Sequence, residues 1–291
     1  MEQRPFGLTG LTVSALGLGA GQVGERDVTD REAATLLNAA LDAGITLVDT
    51  ARGYGTSEER IGRHLASRRD EFVLSTKGGY DIDGTQDWTA ENLRGTVERA
   101  LRMLRTDRID VLHLHSCSEE VLGRGDLQDA LDGLVAAGSV RVAGYSGDNA
   151  PLAHAAASGR FGSVETSVNL ADQWSLRQVL PQHPELGVIA KRPIANAPWR
   201  FAERPVGHYA ELYWDRLRTL ALDPGGLEWG ELALRFSAFA PGVDSAIVGT
   251  ANPDHLRRNV AHLAKGPLPD DVLAAVDAAW RREGTDWPGS V

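Results

Sequence analysis

The sequence predicts a (β/α)8 TIM barrel that forms a single domain over residues 1–291. Short β-rich apolar runs alternate with amphipathic helical patterns eight times along the chain. No linker rich in Pro, Gly or Ser interrupts this alternation, which indicates one parallel sheet. Eight units of this length favour closure of the sheet into a barrel with the helices outside it.

The predicted strands are the apolar runs, and the predicted helices lie between them. The strands are expected at 13–19, 45–50, 71–77, 109–115, 140–146, 163–169, 187–192 and 244–250. The first helix is expected within 30–44, where Leu and Ala recur at helical spacing, with Thr29 as the N-cap and Gly44 as the stop. The later helices are expected at 57–68, 90–105, 126–137, 150–158, 172–180, 228–239 and 253–264.

Several segments stand outside this repeat. Residues 6–14, "FGLTGLTVS", are expected to form a hairpin that closes the barrel floor. The connections 116–126, 193–227 and 265–291 are expected to be irregular. The second of these carries five aromatic residues, which either line a substrate pocket or only cover the barrel mouth.

A doubly wound open sheet is the alternative fold. The stretch "GLGAGQVG" at 17–24 superficially resembles the Gly-rich phosphate turn of such a sheet. Glycine is abundant in this chain, however, and the acidic residue at the end of the second strand, Asp49, is assigned below to a different group rather than to a ribose. We therefore interpret these glycines as the mouth of the first barrel strand.

The composition limits the partners and the compartment. Forty acidic and thirty basic residues give a net charge of -10, which opposes a nucleic-acid or anionic-membrane partner. The sequence has neither a signal-like N-terminus nor an apolar run long enough to span a bilayer. Because Cys117 is the single cysteine, no intrachain disulfide can form. A cytoplasmic location is expected.

Four polar residues fall at or just beyond the ends of three successive predicted strands. Asp49 ends the second strand and Tyr54 follows it, whereas Lys77 ends the third strand and His115 ends the fourth. Because the carboxyl ends of barrel strands meet at one mouth, we expect these four side chains to converge on one site.

This group has a coherent acid–base chemistry. An ammonium close to a phenol lowers the pKa of the phenol, and a carboxylate keeps the ammonium charged and oriented. Asp49 would therefore tune Lys77, and Lys77 would lower the pKa of Tyr54 so that Tyr54 donates a proton near neutral pH. His115 could donate a hydrogen bond to a substrate carbonyl oxygen.

Each residue also has a structural interpretation. Asp49 could cap a helix, Lys77 could only pair with Asp49, Tyr54 could be a rim aromatic, and His115 could be a satisfied barrel histidine. Their joint placement at successive strand ends favours the functional interpretation.

A metal site is the chemical alternative at this mouth. His113 and His115 are two apart on one strand and so share a face, which is compatible with a metal-dependent hydrolase. The ends of the later strands supply no histidine. We therefore expect no metal and interpret His113 as a barrel-lining residue.

The sequence resembles the aldo-keto reductase superfamily over almost its whole length. The matching stretches are "FGLTGLTVSALGLG", "GITLVDTARGYGTSEERIGRHL", "STKGG", "RIDVLHLHS" and "IVGTANPDHLRRNV". The resemblance implies a barrel that binds NADPH and reduces aldehydes and ketones. It also implies that the catalytic tetrad is Asp49, Tyr54, Lys77 and His115.

The resemblance further implies a cofactor site, with departures from the family pattern. Its residues would be Ser146, Glu165, Lys191, Gly249, Thr250, His255, Arg258 and Asn259. Ser146 is followed by Gly147 rather than Asn, Glu165 falls at the glutamine position, and Lys191 falls at the position of the stacking aromatic. Either Asn169, Arg192 or an aromatic of a loop substitutes for that aromatic, or the affinity for the nucleotide is reduced.

The segment after the eighth strand bears on the choice of nucleotide. A helix is expected to begin at about Pro253, and its N-terminus suits a phosphate. The family's lysine for the 2′-phosphate corresponds to Gly249 and its arginine to His255, whereas Arg258 lies on the same helix face and Asn259 matches the adenine-contacting residue. The alternative is that Arg258 belongs to a solvated helix face. We expect NADPH rather than NADH.

Besides the metal-dependent barrel hydrolase considered above, two functions remain open from the sequence. The first is the NAD(P)H-dependent reduction of a small aldehyde or ketone, with Tyr54 as the proton donor. The second is a nicotinamide-binding regulatory or sensor barrel with little turnover, which the departures at Gly147, Glu165 and Lys191 favour.

Overall fold

The computed structural model, which describes residues 1–290, contains a closed barrel of eight parallel strands and so confirms the predicted (β/α)8 architecture. Strands β3 to β10 follow one another around the barrel, and β10 closes it by pairing with β3. The strands are β1 (Gln3–Pro5), β2 (Thr12–Ser14), β3 (Leu16–Gly19), β4 (Leu47–Asp49), β5 (Val73–Gly78), β6 (Ile109–His115), β7 (Val140–Ser146), β8 (Ser163–Ser167), β9 (Gly187–Lys191) and β10 (Ser245–Gly249).

The helices surround the barrel, and a large apolar cluster fills the space between them and the strands. They are α1 (Asp30–Asp42), α2 (Ser57–Leu65), α3 (Ala90–Leu104), α4 (Glu119–Leu122), α5 (Gly125–Ala136), α6 (Asn149–Ala157), α7 (Trp174–Gln178), α8 (Glu211–Leu220), α9 (Trp229–Ala238), α10 (Pro253–Leu263) and α11 (Asp270–Glu283). Within residues 1–290, no helix has both the length and the apolar character needed to cross a bilayer.

The first predicted strand, 13–19, is wrong as one element. Residues 12–14 pair antiparallel with β1, whereas 16–19 enter the barrel. The chain turns at Ser14, because the Ser14 hydroxyl donates to Leu16 O at 2.6 Å and the Ser14 amide donates to the Thr46 hydroxyl at 2.9 Å. The expected hairpin therefore exists, but it begins before Phe6.

The connections that were expected to be irregular contain helices. Helix α8 lies within 193–227 and α11 within 265–291, and the short α4 lies within 116–126. Their buried stripes are narrow: α8 buries only Tyr213, Arg216 and Leu220. Such a sparse stripe gives a weak periodic signal in the sequence. In contrast, the Thr29 cap of α1 is present as a complete capping box with Glu32.

The hairpin closes the floor of the barrel with Phe6. This side chain is fully buried, and its ring occupies the space that a side chain at Gly187 would need. It packs in an apolar cluster to which six of the barrel strands contribute. The cluster consists of Phe6, Leu11, Val13, Leu47, Val73, Val111, Val142, Ile189 and Ile247.

The barrel interior changes from apolar at the floor to polar at the mouth. Alternate residues of a strand face the same side. On β5, Val73 therefore lies at the floor and Lys77 at the mouth, and on β6, Val111 lies at the floor and His113 above it. All four of these side chains are buried. The apolar floor therefore keeps water from reaching the polar residues of the barrel interior from below.

Replacing Phe6 by Ala should destabilise the protein by about 3–5 kcal/mol, since the change leaves a cavity under the barrel. Urea denaturation followed by circular dichroism measures this loss. Leu8→Ala, in the same hairpin, is the matched control, because Leu8 is 83% exposed and should change stability by less than about 0.5 kcal/mol. Equal stabilities of the two variants would contradict the role of Phe6 as the floor.

Candidate active site

A cavity of about 1670 Å³ opens at the carboxyl ends of the barrel strands. Asp49, Tyr54 and His115 contribute to its wall, and Lys77 lies directly beneath them with 1% of its surface exposed. The structure therefore brings together the four residues that the strand ends predict. The glycines of the 17–24 stretch also line this mouth through Gly19 and Gly21, rather than forming the turn of an open sheet.

The ammonium of Lys77 is held by groups from β8 and from the end of β4. It donates to Asp49 Oδ2 at 2.5 Å and to Thr50 O at 3.1 Å, and it forms an ion pair with Glu165 Oε2 at 3.1 Å. The other oxygen of Asp49 accepts a hydrogen bond from Ser75 at 2.8 Å. Both carboxylates are as buried as the lysine, so their charges replace the water that the ammonium has lost.

The loop after β4 places Tyr54 above this lysine. The Lys77 ammonium lies 5.3 Å from the centre of the Tyr54 ring. The loop is anchored by Ser57, whose hydroxyl accepts from Thr50 and donates to Ala20 O, each at 2.8 Å. Gly24 packs against the backbone of Tyr54 so closely that a Cβ at Gly24 would lie 1.9 Å from Tyr54 O. Only glycine fits this approach, which fixes the position of the phenol.

The pKa of Tyr54 differs from the sequence-based expectation. Lys77 acts to lower it, but burial and the carboxylates of Asp49 and Glu165 outweigh the lysine and raise the pKa to about 12. The expectation of a lowered pKa was wrong because it counted one carboxylate beside Lys77, whereas the barrel supplies two. Tyr54 is therefore a neutral phenol that retains its proton at physiological pH.

The two carboxylates share one cation and do not ionise equally. Burial and the charge of Glu165 raise the pKa of Asp49, despite its bond to Lys77. Burial also acts to raise the pKa of Glu165, but Lys77, His113 and Lys191 outweigh it and lower this pKa. Burial acts to lower the pKa of Lys77, but the two carboxylates outweigh it and raise this pKa, so Lys77 stays charged.

His115 is neutral and stands beside Tyr54. Burial and the charge of Lys77 lower the pKa of His115 to about 4. Its ring meets the Tyr54 ring edge-on, with 6.3 Å between the centroids, and its Nδ1 is hydrogen-bonded to the hydroxyl of Tyr80 at 2.7 Å. A neutral imidazole at the cavity wall can donate one hydrogen bond to a ligand oxygen.

His113 lies one layer below, as expected of a barrel-lining residue. Its two ring nitrogens contact the hydroxyls of Ser75 and Ser163 at 3.3 and 3.1 Å, and burial lowers its pKa to about 3. Ligand atoms of Asp49, His113 and Glu165 do come within 4.8 Å of one another. The Lys77 ammonium already pairs with both carboxylates, so it supplies the positive charge that this cluster requires.

The cavity wall beside β7 and β9 contains a hydroxyl with neither a hydrogen bond nor an ion pair in the described part of the chain. The buried hydroxyl of Ser146 has no hydrogen-bond partner within residues 1–290. Next to it, Lys191 is paired with Asp148 at 3.0 Å. Asn169 does not replace the expected stacking aromatic, because its amide is bonded to Arg192 O and to Ala171 N away from the cavity. Ser146 is thus free to bind a ligand, and Lys191 is tied to a carboxylate.

The far end of the cavity lies between β10 and α10. Its wall includes Gln22, Gly249, Thr250, His255, Arg258 and Asn259. A Cβ at Gly249 would lie 2.0 Å from Gln22 Oε1, so this glycine makes room for the glutamine. Arg257 is paired with Asp254 and lies outside the cavity, in keeping with a solvated face. Arg258, by contrast, lines the cavity.

The aromatic residues of 193–227 divide between two roles. Trp199 and Tyr209 line the cavity, and Trp199 is stacked on Trp229 with 5.9 Å between the ring centroids. Tyr213 instead donates to Asp172 at 3.2 Å in a buried cluster, and Trp214 donates to Phe201 O at 3.0 Å. Some aromatic residues of this connection therefore line the cavity, and others pack the connection together.

The sequence-based reasoning missed two residues that the structure places at the site. Gln22 follows β3 and lines the cavity, and Tyr80 follows β5 and contacts His115. Their position after a strand end is the signal that could have identified them.

The mouth of this closed parallel barrel holds a phenol, a buried lysine, a carboxylate and an imidazole. Barrels of this class are suited to proton transfer at a ligand oxygen. The chain belongs to the Aldo/keto reductase family, whose model matches residues 15–281. This is a family of oxidoreductases.

Individual relatives cover nearly the whole chain. D-threo-aldose 1-dehydrogenase of Pseudomonas sp is 30% identical and aligns over 88% of this chain and 91% of its own length. L-galactose dehydrogenase of Arabidopsis thaliana is 26% identical over 100% of this chain and 98% of its own. The solved aldo-keto reductase AKR11C1 of Bacillus halodurans shares the fold, with a TM-score of 0.82 at 24% identity over 96% of each chain.

Glu165→Gln should lower the pKa of Tyr54 from about 12, because it removes a negative charge that opposes the phenolate. We expect a decrease of about one unit. Ultraviolet difference titration measures the pKa of Tyr54 in each protein. Subtracting the spectrum of the matching Tyr54→Phe variant isolates the absorbance of the Tyr54 phenolate. Circular dichroism over the same pH range reports whether the fold is intact.

Glu231→Gln is the matched control for this titration. Glu231 is also a buried glutamate that is paired with cations, namely Arg235 and Lys265, and it lies on α9. Its replacement should leave the titration of Tyr54 unchanged. An unchanged or higher pKa of Tyr54 in Glu165→Gln would contradict the charge balance described above.

Proposed function

We propose that this protein catalyses the NAD(P)H-dependent reduction of a small aldehyde or ketone to an alcohol, with Tyr54 as the proton donor. The observation that carries this proposal is the joint placement of Tyr54 and His115 in the cavity wall, above the buried ion cluster of Lys77. Membership of the Aldo/keto reductase family supports it.

The cavity suits a nicotinamide nucleotide. The hydroxyl of Ser146 is a buried polar group without a partner within residues 1–290, and a carboxamide is a suitable partner for it. At the other end of the cavity, Thr250, Asn259 and the exposed basic side chains of His255 and Arg258 would hold the adenosine end. When bound, the reduced nicotinamide supplies the hydride.

The residues of the chain supply the proton and the orientation. Tyr54 holds its proton at neutral pH and transfers it only to a strongly basic oxygen, such as the alkoxide that forms when a carbonyl is reduced. His115, which is neutral above a pKa of about 4, donates a hydrogen bond to the same oxygen. The Lys77 ammonium favours negative charge that develops near Tyr54.

Sugars are the substrates to examine first. Two relatives that cover most of the chain carry the names of sugar dehydrogenases, D-threo-aldose 1-dehydrogenase and L-galactose dehydrogenase. A cavity wall of mixed polar and apolar character that includes a stacked aromatic pair, Trp199 and Trp229, is compatible with a ligand that has many hydroxyls and an apolar face. The reverse reaction, oxidation of an aldose, belongs to the same screen.

We also propose that NADPH binds more tightly than NADH. Arg258 and His255 are exposed at the cavity and form no ion pair within residues 1–290, so they are available to a 2′-phosphate. We further propose that residues 1–291 act as one catalytic domain, in the cytoplasm.

A nicotinamide-binding sensor with little turnover is the second candidate function. It is favoured by two residues at positions that the family pattern assigns to nucleotide contacts. Here Glu165 is paired with Lys77, and Lys191 is paired with Asp148. In this case the nucleotide would bind, and the protein would convert substrate only slowly.

One experiment separates these functions. Titration with NADPH and NADH, followed by quenching of tryptophan fluorescence, should show saturable binding that is tighter for NADPH. Steady-state assays with aldoses and small carbonyls should then give turnover that Tyr54→Phe lowers by about 10²–10⁴-fold, because the proton donor is lost.

Nucleotide binding by Tyr54→Phe should equal that of the unmodified protein, which serves as the control for folding. Binding without turnover on any tested carbonyl would favour the sensor. If calorimetry detected neither nucleotide, the reductase proposal would be wrong.

A further inference from the structure

A second tyrosine, Tyr80, contacts the imidazole of His115. Its hydroxyl lies 2.7 Å from His115 Nδ1, and the two rings pack with 5.5 Å between their centroids. This is the only hydrogen bond of the Tyr80 hydroxyl within residues 1–290, and His115 Nε2 has no hydrogen-bond partner among these residues. Nε2 is therefore the nitrogen available to a ligand at the cavity wall.

The direction of this hydrogen bond follows from the available acceptors. A phenol has one proton to donate, and His115 Nδ1 is the only acceptor that the described residues offer to Tyr80. If Nδ1 carried a hydrogen and donated to the phenol, the proton of Tyr80 would lack a protein acceptor in a half-buried position. Donation from Tyr80 to Nδ1 satisfies both groups.

The packing around Tyr80 holds its hydroxyl in this place. Its ring packs against Trp88, with 6.0 Å between the centroids, and the Trp88 amide donates to Gly79 O at 2.6 Å. A Cβ at Gly53 would lie 3.1 Å from the Tyr80 hydroxyl, so this glycine lets the phenol approach the loop that carries Tyr54. The segment 79–88 and the Tyr54 loop thus enclose the hydroxyl.

We propose that Tyr80 is a positioning residue that donates its hydrogen bond to His115 Nδ1 and so fixes the tautomer in which Nε2 carries the hydrogen. This inference rests on the proposed function, in which the Nε2–H group of His115 binds the reacting oxygen of the substrate. In the other tautomer, Nε2 would present a lone pair to that oxygen and repel it. Tyr80 acts through His115 and needs no contact with the substrate.

The test begins with the protein alone, labelled with ¹⁵N in its histidines. Long-range ¹H–¹⁵N correlation spectra at pH 7 should show His115 with a protonated Nε2 and an unprotonated Nδ1, and loss of the signals in His115→Gln assigns them. In Tyr80→Phe, both nitrogen shifts should move toward each other as the second tautomer becomes populated. The turnover number for carbonyl reduction should fall about three- to tenfold, with the KM for the nucleotide unchanged.

Tyr145→Phe is the matched control. It also removes the hydroxyl of an enclosed tyrosine, one that donates to Cys117 O at 3.0 Å outside the cavity. It should leave the His115 spectrum and the turnover number unchanged.

Three results would overturn the inference. These are a protonated Nδ1 in the unmodified protein, a His115 spectrum that Tyr80→Phe does not alter, and an altered spectrum with an unchanged turnover number. An unmodified protein without reductase activity would count against the proposed function instead, and the spectra would still decide whether Tyr80 fixes the tautomer.

Discussion

The structure depends on one buried cation, the ammonium of Lys77. Removing such a group from water costs several kcal/mol unless oppositely charged groups replace the water. Asp49 from β4 and Glu165 from β8 replace it here, so the three residues must come from three strands that meet only when the barrel is closed. The charge balance of the site and the closure of the sheet therefore support each other.

The pairing of charges around the cavity determines which groups a ligand can use. Lys77 is paired with Glu165, and Lys191 is paired with Asp148. Within the described cavity wall, polar groups available to a ligand lie at both ends, with Ser146 and His115 Nε2 at the tetrad and His255 and Arg258 at the far end. This separation is typical of a site for an elongated ligand with one polar group at each end.

The sequence was sufficient to predict the features that depend on strand ends and periodicity. Asp49 and His115 end their strands and Lys77 is next to last in β5, so the barrel rule alone brought them together. The pKa of Tyr54 was not predictable in this way, because besides Lys77 and Asp49 it depends on burial and on the charge of Glu165 across the barrel. Helices α8 and α11 were missed because their buried faces are narrow, and Tyr80 was missed because its partner is distant in sequence.

The closure of the barrel by β10 also affects how the chain can fold. Ala246 pairs with Leu16, so almost the whole sequence separates the two strands of this junction. Contacts between such distant segments form late, because the entropy of closing a long loop must first be overcome. Until β10 arrives, β3 and β9 both expose an unpaired edge to other chains. We therefore expect this protein to be most prone to aggregation before the last strand pairing, and not during the assembly of the tetrad on β4 to β6.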